Sequence, residues 1–346
     1  MPVVDERAAL RHHGDAETAP GLADFAVNVR ADGPPPWLRK RLRETLDELG
    51  TYPSADRDLQ ARAQVARRHG CEPDEVLILN GAAEAFALLP RLNPTHAVVV
   101  HPGFTEPEVA LTDAGIRTTR VLLDEADGFT LHPEHVPPDA DLVVIGNPTN
   151  PTSVLHPRHT LRALERPGRL VVVDEAFLDA VPGEPESMIG SPGVLVLRSL
   201  TKTWSLPGLR AGYAIGDAET LQDLARSRPQ WPVGTLTLEA VRACCEPDAV
   251  AEAAEGAAAL AEQATLLVAE LSRLPGCTVF QPSGPFLLVR LPGAASIRVR
   301  LRERGFAVRR CDTFPGLTDD HLRIAVRPAE QAKPLIDALR TLVEAG

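Results

Sequence analysis

Lysine is scarce in this chain: of 36 basic residues only Lys40, Lys202 and Lys333 are lysines, and arginine serves almost wherever a plain positive charge will do. Lys40 lies in the stretch RKRLRETLDEL and Lys333 in a charged C-terminal segment, where solvated surface charge accounts for both. Lys202 differs. Within VLVLRSLTKTWSLPGLRAGY it follows an apolar run and precedes a Pro-Gly turn. Arginine cannot replace lysine where a deprotonated amine must attack a carbonyl, because guanidinium stays protonated. Lys202 is therefore a candidate imine-forming residue.

Other polar residues collect just past apolar runs. VLILN leads into Gly81-Ala82-Ala83-Glu84, a small-residue turn whose backbone N–H groups can face an anion at a helix N-terminus. AVVVH is followed by Pro102-Gly103-Phe104. Aromatics make up only 4% of the chain, and Phe104 is placed to stack on a planar ring. LVVIG runs into Asn147-Pro148-Thr149-Asn150-Pro151-Thr152-Ser153, where two Asn-Pro steps give a rigid loop with amides able to donate to a ligand oxygen. LVVVDEA puts Asp174 at the end of an apolar strand, and a buried carboxylate is costly without a cationic partner. A protonated pyridine nitrogen is such a partner. Ser199, Thr201, Lys202 and Arg210 fall within twelve residues, and two hydroxyls with a guanidinium suit a phosphate dianion. Each has a plainer explanation alone (a packing turn, a core Phe, a capping Asp). No GxGxxG follows any of these runs, which argues against a dinucleotide.

Elements must bring these residues together. Runs 76–80, 97–101, 142–146, 170–176 and 194–199 are rich in Val, Leu and Ile without polar alternation, as in strands buried on both faces of a mostly parallel sheet covered by helices. Ligands of such sheets bind beyond the carboxyl ends of the strands, where the polar residues lie. Residues 1–35 read as an irregular arm ending in GPPP. Trp37–Leu49 reads as an amphipathic helix stopped by Gly50. A long Ala/Glu-rich helical region is expected at 236–273. CTVFQ, FLLVRL, FAVRR and LRIAV are strand candidates before a last helix. The division is an arm (1–35) packing at the active site, a large α/β domain (36–235) and a smaller α+β domain (236–346).

Bulk composition bounds the class. The 346 residues are 44% hydrophobic and 24% charged, the profile of a soluble globular protein, and no apolar run approaches a membrane span. The N-terminal residues lack the apolar stretch of a secretory signal. Net charge is −11 without a basic stripe, which argues against nucleic acid as a partner. Five scattered cysteines without CxxC spacing indicate reduced thiols, no metal site and a cytoplasmic location.

The order of the strand-end residues is more specific than any one of them. Small-residue turn, aromatic, Asn-Pro-Thr, Asp, then Ser-x-x-Lys with Arg eight residues on resembles the fold-type I pyridoxal-phosphate (PLP) enzymes of the aspartate-aminotransferase superfamily, from Asp24 to about Arg327. Within it the chain resembles the histidinol-phosphate-aminotransferase-like branch, and in that branch the threonine-phosphate decarboxylases of cobalamin synthesis. His13-Gly14, Asp24-Phe25-Ala26-Val27-Asn28, DEAFLDAVPGEPES (174–187), VRRCDTFPGL (308–317) and LRIAVR (322–327) carry that likeness. Phe177 stands where the histidinol-phosphate enzymes usually have Tyr.

The resemblance implies that Lys202 holds PLP as a Schiff base and Asp174 pairs with its pyridine nitrogen. Asn150 would donate to the ring hydroxyl and Phe104 stack on the ring. The backbone of Gly81, Ala82 and Ala83, with Ser199, Thr201 and Arg210, would hold the cofactor phosphate. Tyr52 would reach the phosphate of a partner subunit, in a homodimer with composite sites. Arg323 would clamp a carboxylate. His13, Gly14, Asn28, Asn150 and Arg309 would line the substrate side, although Arg309, beside Arg310, also reads as a surface arginine. The chain departs from the family's N-I-N-P-L-G at Arg30, Ala31 and Asp32, and has Gly234 for Asn and Ser153 for Gly. The implied reaction is decarboxylation of L-threonine O-3-phosphate to (R)-1-amino-2-propanol phosphate. The alternative is an aminotransferase acting on histidinol phosphate or a related substrate. A non-catalytic binding module on this fold is disfavoured, since Lys202 and Asp174 are both present.

Overall fold

A computed structural model describes residues 6–344; residues 1–5 of the arm and the last two residues lie outside the described residues. The strands are β1 (Ala23–Phe25), β2 (Val76–Leu79), β3 (His96–His101), β4 (Arg117–Leu122), β5 (Leu142–Gly146), β6 (Leu170–Asp174), β7 (Val194–Ser199), β8 (Gly212–Ile215), β9 (Thr278–Val279), β10 (Phe286–Arg290), β11 (Phe306–Arg310) and β12 (His321–Ala325). Seven of them form one sheet in the order β2-β8-β7-β6-β5-β3-β4. Neighbours from β7 to β4 run parallel, while β8 is antiparallel to both β2 and β7.

Strand alternation explains why the runs lack polar residues. Val143, Ile145, Val171, Val173 and Val196 point into one core, while Leu142, Val144, Val172, Leu195 and Leu197 point into another across the sheet. Both faces are covered, so every position must be apolar until the strand reaches its polar end. The second sheet, β1-β11-β12-β10-β9, packs its apolar face on helices Pro247–Leu271, Ala294–Glu303 and Ala329–Glu344 through Leu267, Leu287, Ile324 and Leu335. The whole is an α/β fold with a smaller α+β layer, as the sequence indicates.

Three sequence expectations need correction. The arm is not irregular: it contains helix Glu6–Leu10 and β1, which pairs parallel with β11 so that Asp24 faces Ala307. Arg327 fastens it by donating to the carbonyls of Asp24 (3.1 Å) and Val27 (2.7 Å). A three-residue strand has too short a pattern to be read from sequence. The region 236–273 is two helices, Thr235–Cys244 and Pro247–Leu271, because Pro247 lacks an N–H to continue the first helix and is suited to the first position of the second. The first of them packs with Leu38, Val65, Ile78 and Tyr213, against the larger sheet. Helix Pro36–Thr45 ends early in a tight 3-10 turn, Leu46–Glu48. Among the described residues no helix is long and apolar enough to cross a membrane.

Candidate active site

The carboxyl ends of β5, β6 and β7 open into a cavity of about 450 Å³. Parallel pairing sets its floor: Gly146 of β5 lies opposite Asp174 of β6, which lies opposite Leu197 of β7, two residues before Ser199. Lys202, Asp174, Asn150, Phe104, Ser199, Thr201 and Arg210 all line this cavity, as do Ala82 and Ala83. From the arm and the second sheet come His13, Gly14, Asn28, Arg309 and Arg323. Residues spread over more than three hundred positions are thus brought to one place. Lys40 and Lys333 are exposed and paired with Glu44 (3.9 Å) and Asp337 (2.6 Å), as surface charges should be.

Lys202 makes no side-chain hydrogen bond or ion pair among the described residues. Burial, reinforced by Arg323 and Arg210, pushes its amine down from 10.5 to about 8. Its backbone is tied in place, with the carbonyl accepting from Arg30 N–H at 3.2 Å. Asp174 accepts one hydrogen bond, from Ala176 N–H at 3.1 Å, and has no cationic partner at bonding distance. Burial raises its carboxyl from 3.8 to about 7. Its neighbour Glu175 points to the opposite side of the strand and is neutralised by Arg198 at 2.9 Å, with Ser187 and Met188 N–H completing its shell. Two adjacent carboxylates therefore have opposite circumstances: Glu175 is buried and paired by the protein, while Asp174 is half-buried at the cavity and awaits a cation.

The anion-binding side is as clear. Gly81 adopts φ +77°, and a Cβ there would stand 2.9 Å from Arg210 Nη2, so only glycine lets the guanidinium lie over the turn. Among the described residues Arg210 itself is bonded only to the Pro207 carbonyl at 3.5 Å, leaving its other donors for a ligand. Ser199 Oγ accepts from Thr201 N–H at 3.3 Å and retains its own proton for donation. Arg323 is buried; it donates to Asn150 Oδ1 and the Ala26 carbonyl, while its Nε has no partner. Phe104 lies beside Phe86 (5.8 Å) and His13 (5.3 Å), and His13 is held by Glu106 at 2.6 Å.

Some residues behave otherwise than expected. Arg309 is 1% exposed and is no surface arginine; it bonds Thr313 Oγ1 (2.7 Å) and the His12 carbonyl (2.6 Å). Tyr52 lies outside the cavity, exposed and stacked on Trp231 at 4.1 Å. Gly81 supports Arg210 without lining the cavity. Ser153 and Gly234 line neither this cavity nor the neighbouring one: Ser153 Oγ accepts from Gly284 N–H at 2.8 Å, and Gly234 precedes the helix Thr235–Cys244. Asp15, Ala176 and Phe314 line the cavity without having been singled out. Ala176, two residues past Asp174, was legible from strand periodicity; Asp15, beside Gly14, gave only adjacency.

A lysine amine with a depressed pKa, a half-buried carboxylate without a cation and a guanidinium over a glycine turn fit one group of ligands. They match the aldehyde, ring nitrogen and phosphate of PLP. An open α/β sheet with this site defines a fold-type I PLP enzyme. The chain belongs to the class I and II aminotransferase family, whose model matches residues 20–339, and its cofactor is PLP. It is 54% identical to a histidinol-phosphate aminotransferase of Mycobacterium bovis, over 93% of this chain and 88% of that one. To a threonine-phosphate decarboxylase of Salmonella typhimurium it is 32% identical, over 93% and 91%. The histidinol-phosphate aminotransferase of Sinorhizobium meliloti, solved with pyridoxal 5′-phosphate, shares the fold at a TM-score of 0.81 and 22% identity, over 99% of this chain and 98% of that one.

These comparisons overturn the expected threonine-phosphate decarboxylase, and with it the lyase and cobalamin-synthesis assignments: the aminotransferase relative is far more similar over the same span. The physical reason lies at Phe177. Its ring packs edge-on against Phe286 at 4.9 Å, a packing role that does not dictate which bond at the substrate carbon breaks.

Proposed function

We propose that this chain is a PLP-dependent aminotransferase of the histidinol-phosphate type, moving an amino group from a phosphorylated amine to a 2-oxo acid. The observation that carries the reading is the 54% identity to the M. bovis histidinol-phosphate aminotransferase. The cavity supports it, because Lys202, Arg210, Arg309 and Arg323 outnumber Asp15 and Asp174 and favour anionic substrates.

When bound, PLP supplies an electrophilic carbon for the amine and a ring that takes up the electron pair released at the substrate carbon. Lys202 Nζ takes the proton from the amine-bearing carbon; its depression from 10.5 to about 8 raises the neutral fraction near physiological pH far above that of an ordinary lysine. Asp174 would face the ring nitrogen and hold its proton there. Asn150, its Oδ1 engaged by Arg323, turns its Nδ2 to the ring hydroxyl. Phe104 would stack on the ring. Ser199, Thr201, Arg210 and the Gly81–Ala83 backbone hold the cofactor phosphate. Arg323, with its free Nε, takes the substrate phosphate or the oxo acid's carboxylate, and His13, Gly14, Asn28 and Arg309 line that side.

Tyr52 is assigned to the cofactor phosphate of a second subunit, in a homodimer; its exposure beside Trp231 and Leu49 supports an apolar contact there. The five cysteines are all free, which supports a cytoplasmic setting.

With the holoenzyme, histidinol phosphate and 2-oxoglutarate should yield glutamate. Histidinol, lacking the phosphate, should have a kcat/KM lower by about 100-fold, since charge-assisted hydrogen bonds are lost. Absence of glutamate, or equal kcat/KM for the two amines, would overturn the proposal.

A further inference from the structure

A second cavity, of about 240 Å³, adjoins the first and shares Asn28, Phe177 and Lys202 with it. Helix Pro247–Leu271 gives it an apolar wall of Ala253, Ala257 and Leu260. Besides Lys202, its charged groups are Arg30, Arg327 and Asp179.

Arg30 is the departure from the family pattern that meets a cavity. Its placement is tied to the lysine segment: Arg30 N–H donates to the Lys202 carbonyl, and Ala31 N–H donates to Ser205 Oγ at 2.9 Å. The guanidinium lies flat on the helix at Gly256, where a Cβ would stand 1.8 Å from Nη2. Glycine is a poor helix former, yet it sits inside a 25-residue helix otherwise rich in alanine. Absence of a side chain at 256 is what gives Arg30 its seat.

The charge on this cavity is only partly balanced by the protein. The Arg30 side chain has no hydrogen bond or ion pair among the described residues. Arg327 is bonded to the carbonyls of Asp24, Val27 and Val326 and, among the described residues, to no carboxylate, with Asp24 and Asp32 acting on its charge only from a distance. Asp179 accepts from Thr203 Oγ1 at 2.7 Å, and its burial favours the neutral acid. Two guanidinium charges therefore face an apolar-walled space next to the reactive lysine.

We propose that Arg30, with Arg327, forms an anion subsite for the distal carboxylate of a dicarboxylic 2-oxo acid co-substrate. The inference rests on the aminotransferase reading. Amino transfer brings two substrates in turn to one lysine, and a five-carbon 2-oxo acid carries two anions. Arg323 takes the first; the second needs a cation beyond the methylenes, which the alanine wall can cover.

The test uses glutarate, a dicarboxylate that cannot react, titrated calorimetrically into the PLP-loaded enzyme, with butyrate as the one-carboxylate control. Wild type should bind glutarate more tightly than butyrate. Arg30→Gln should weaken glutarate by about 10- to 100-fold, the range of a charge-assisted contact. Gly256→Ala should also weaken it, because the new methyl displaces the guanidinium, while the thermal midpoint is held or raised. The kcat/KM ratio of 2-oxoglutarate to pyruvate should fall by the same factor in both variants. Glutarate affinity indifferent to both substitutions overturns the subsite, as does an equal fall for both oxo acids. A loss confined to histidinol phosphate would show that the cations read the amine's phosphate, and also overturns the assignment. If glutarate binding depends on Arg30 but no oxo acid is aminated, the subsite stands and the aminotransferase reading fails.

Discussion

Replacing Lys202 with alanine should reduce amino transfer by about 10⁴-fold or more and abolish the visible absorbance of bound PLP, leaving the fold intact. Two losses combine: the covalent seat of the cofactor, and the group that moves the proton at the substrate carbon, which alone accounts for about 10²–10⁴-fold. Lys202→Arg should not recover either, because guanidinium at this position stays charged. The fold survives since the side chain has no protein partner to lose, and burial already penalises its charged form. Absorbance spectra and single-turnover rates of both variants decide the matter. Retention of the cofactor band in the alanine variant would remove Lys202 from the role assigned to it.

Asp174→Asn should separate function from stability. Activity should fall by about 10³-fold, the scale of losing a preorganised charge beside the reacting group. The cofactor-free protein should instead become more stable. In the unfolded chain this carboxyl ionises near 3.8, whereas burial in the folded chain holds its proton up to about 7. As pH rises through that window the unfolded state binds fewer protons, so the wild type loses stability progressively, reaching a penalty of roughly 2–4 kcal/mol above pH 7. Asparagine escapes it. The gain should thus be near zero at pH 4 and largest at pH 8. Lys202 acts in the complementary direction: its amine is depressed from 10.5 to about 8, so the apo protein loses stability as pH falls through that interval. PLP relieves both by placing a cation beside Asp174 and engaging the amine. Urea unfolding of the apo wild type and variant at the two pH values checks this; a variant less stable than wild type at pH 8 would contradict it.

Much of this site was legible in the sequence because chemistry and strand pattern coincide in it. β5, the middle of β3 and the first four positions of β6 and β7 are apolar runs because both faces are buried, and the residue that follows each run marks the carboxyl edge of the sheet. Lys202 stood out because arginine fills nearly every other basic position. What escaped was set by contacts distant in sequence. β1 exists because β11 and Arg327 hold it, and β8 is recognisable only once inserted between β2 and β7. Arg309 looks like a surface charge until the His12 carbonyl and Thr313 are seen around it. Phe177 was informative about packing against Phe286 and uninformative about reaction. Bond selection at the substrate carbon depends on how a substrate is oriented in the cavity, which no short motif encodes.

The most direct measurement follows the nitrogen atom. The PLP-loaded enzyme is given histidinol phosphate labelled with ¹⁵N at its primary amine, together with unlabelled 2-oxoglutarate, and the products are read by mass spectrometry. The label is expected in glutamate, with the carbon skeleton of the amine recovered intact as the ketone. Label left in the starting amine, or released as ammonia with unlabelled 2-oxoglutarate remaining, would contradict it.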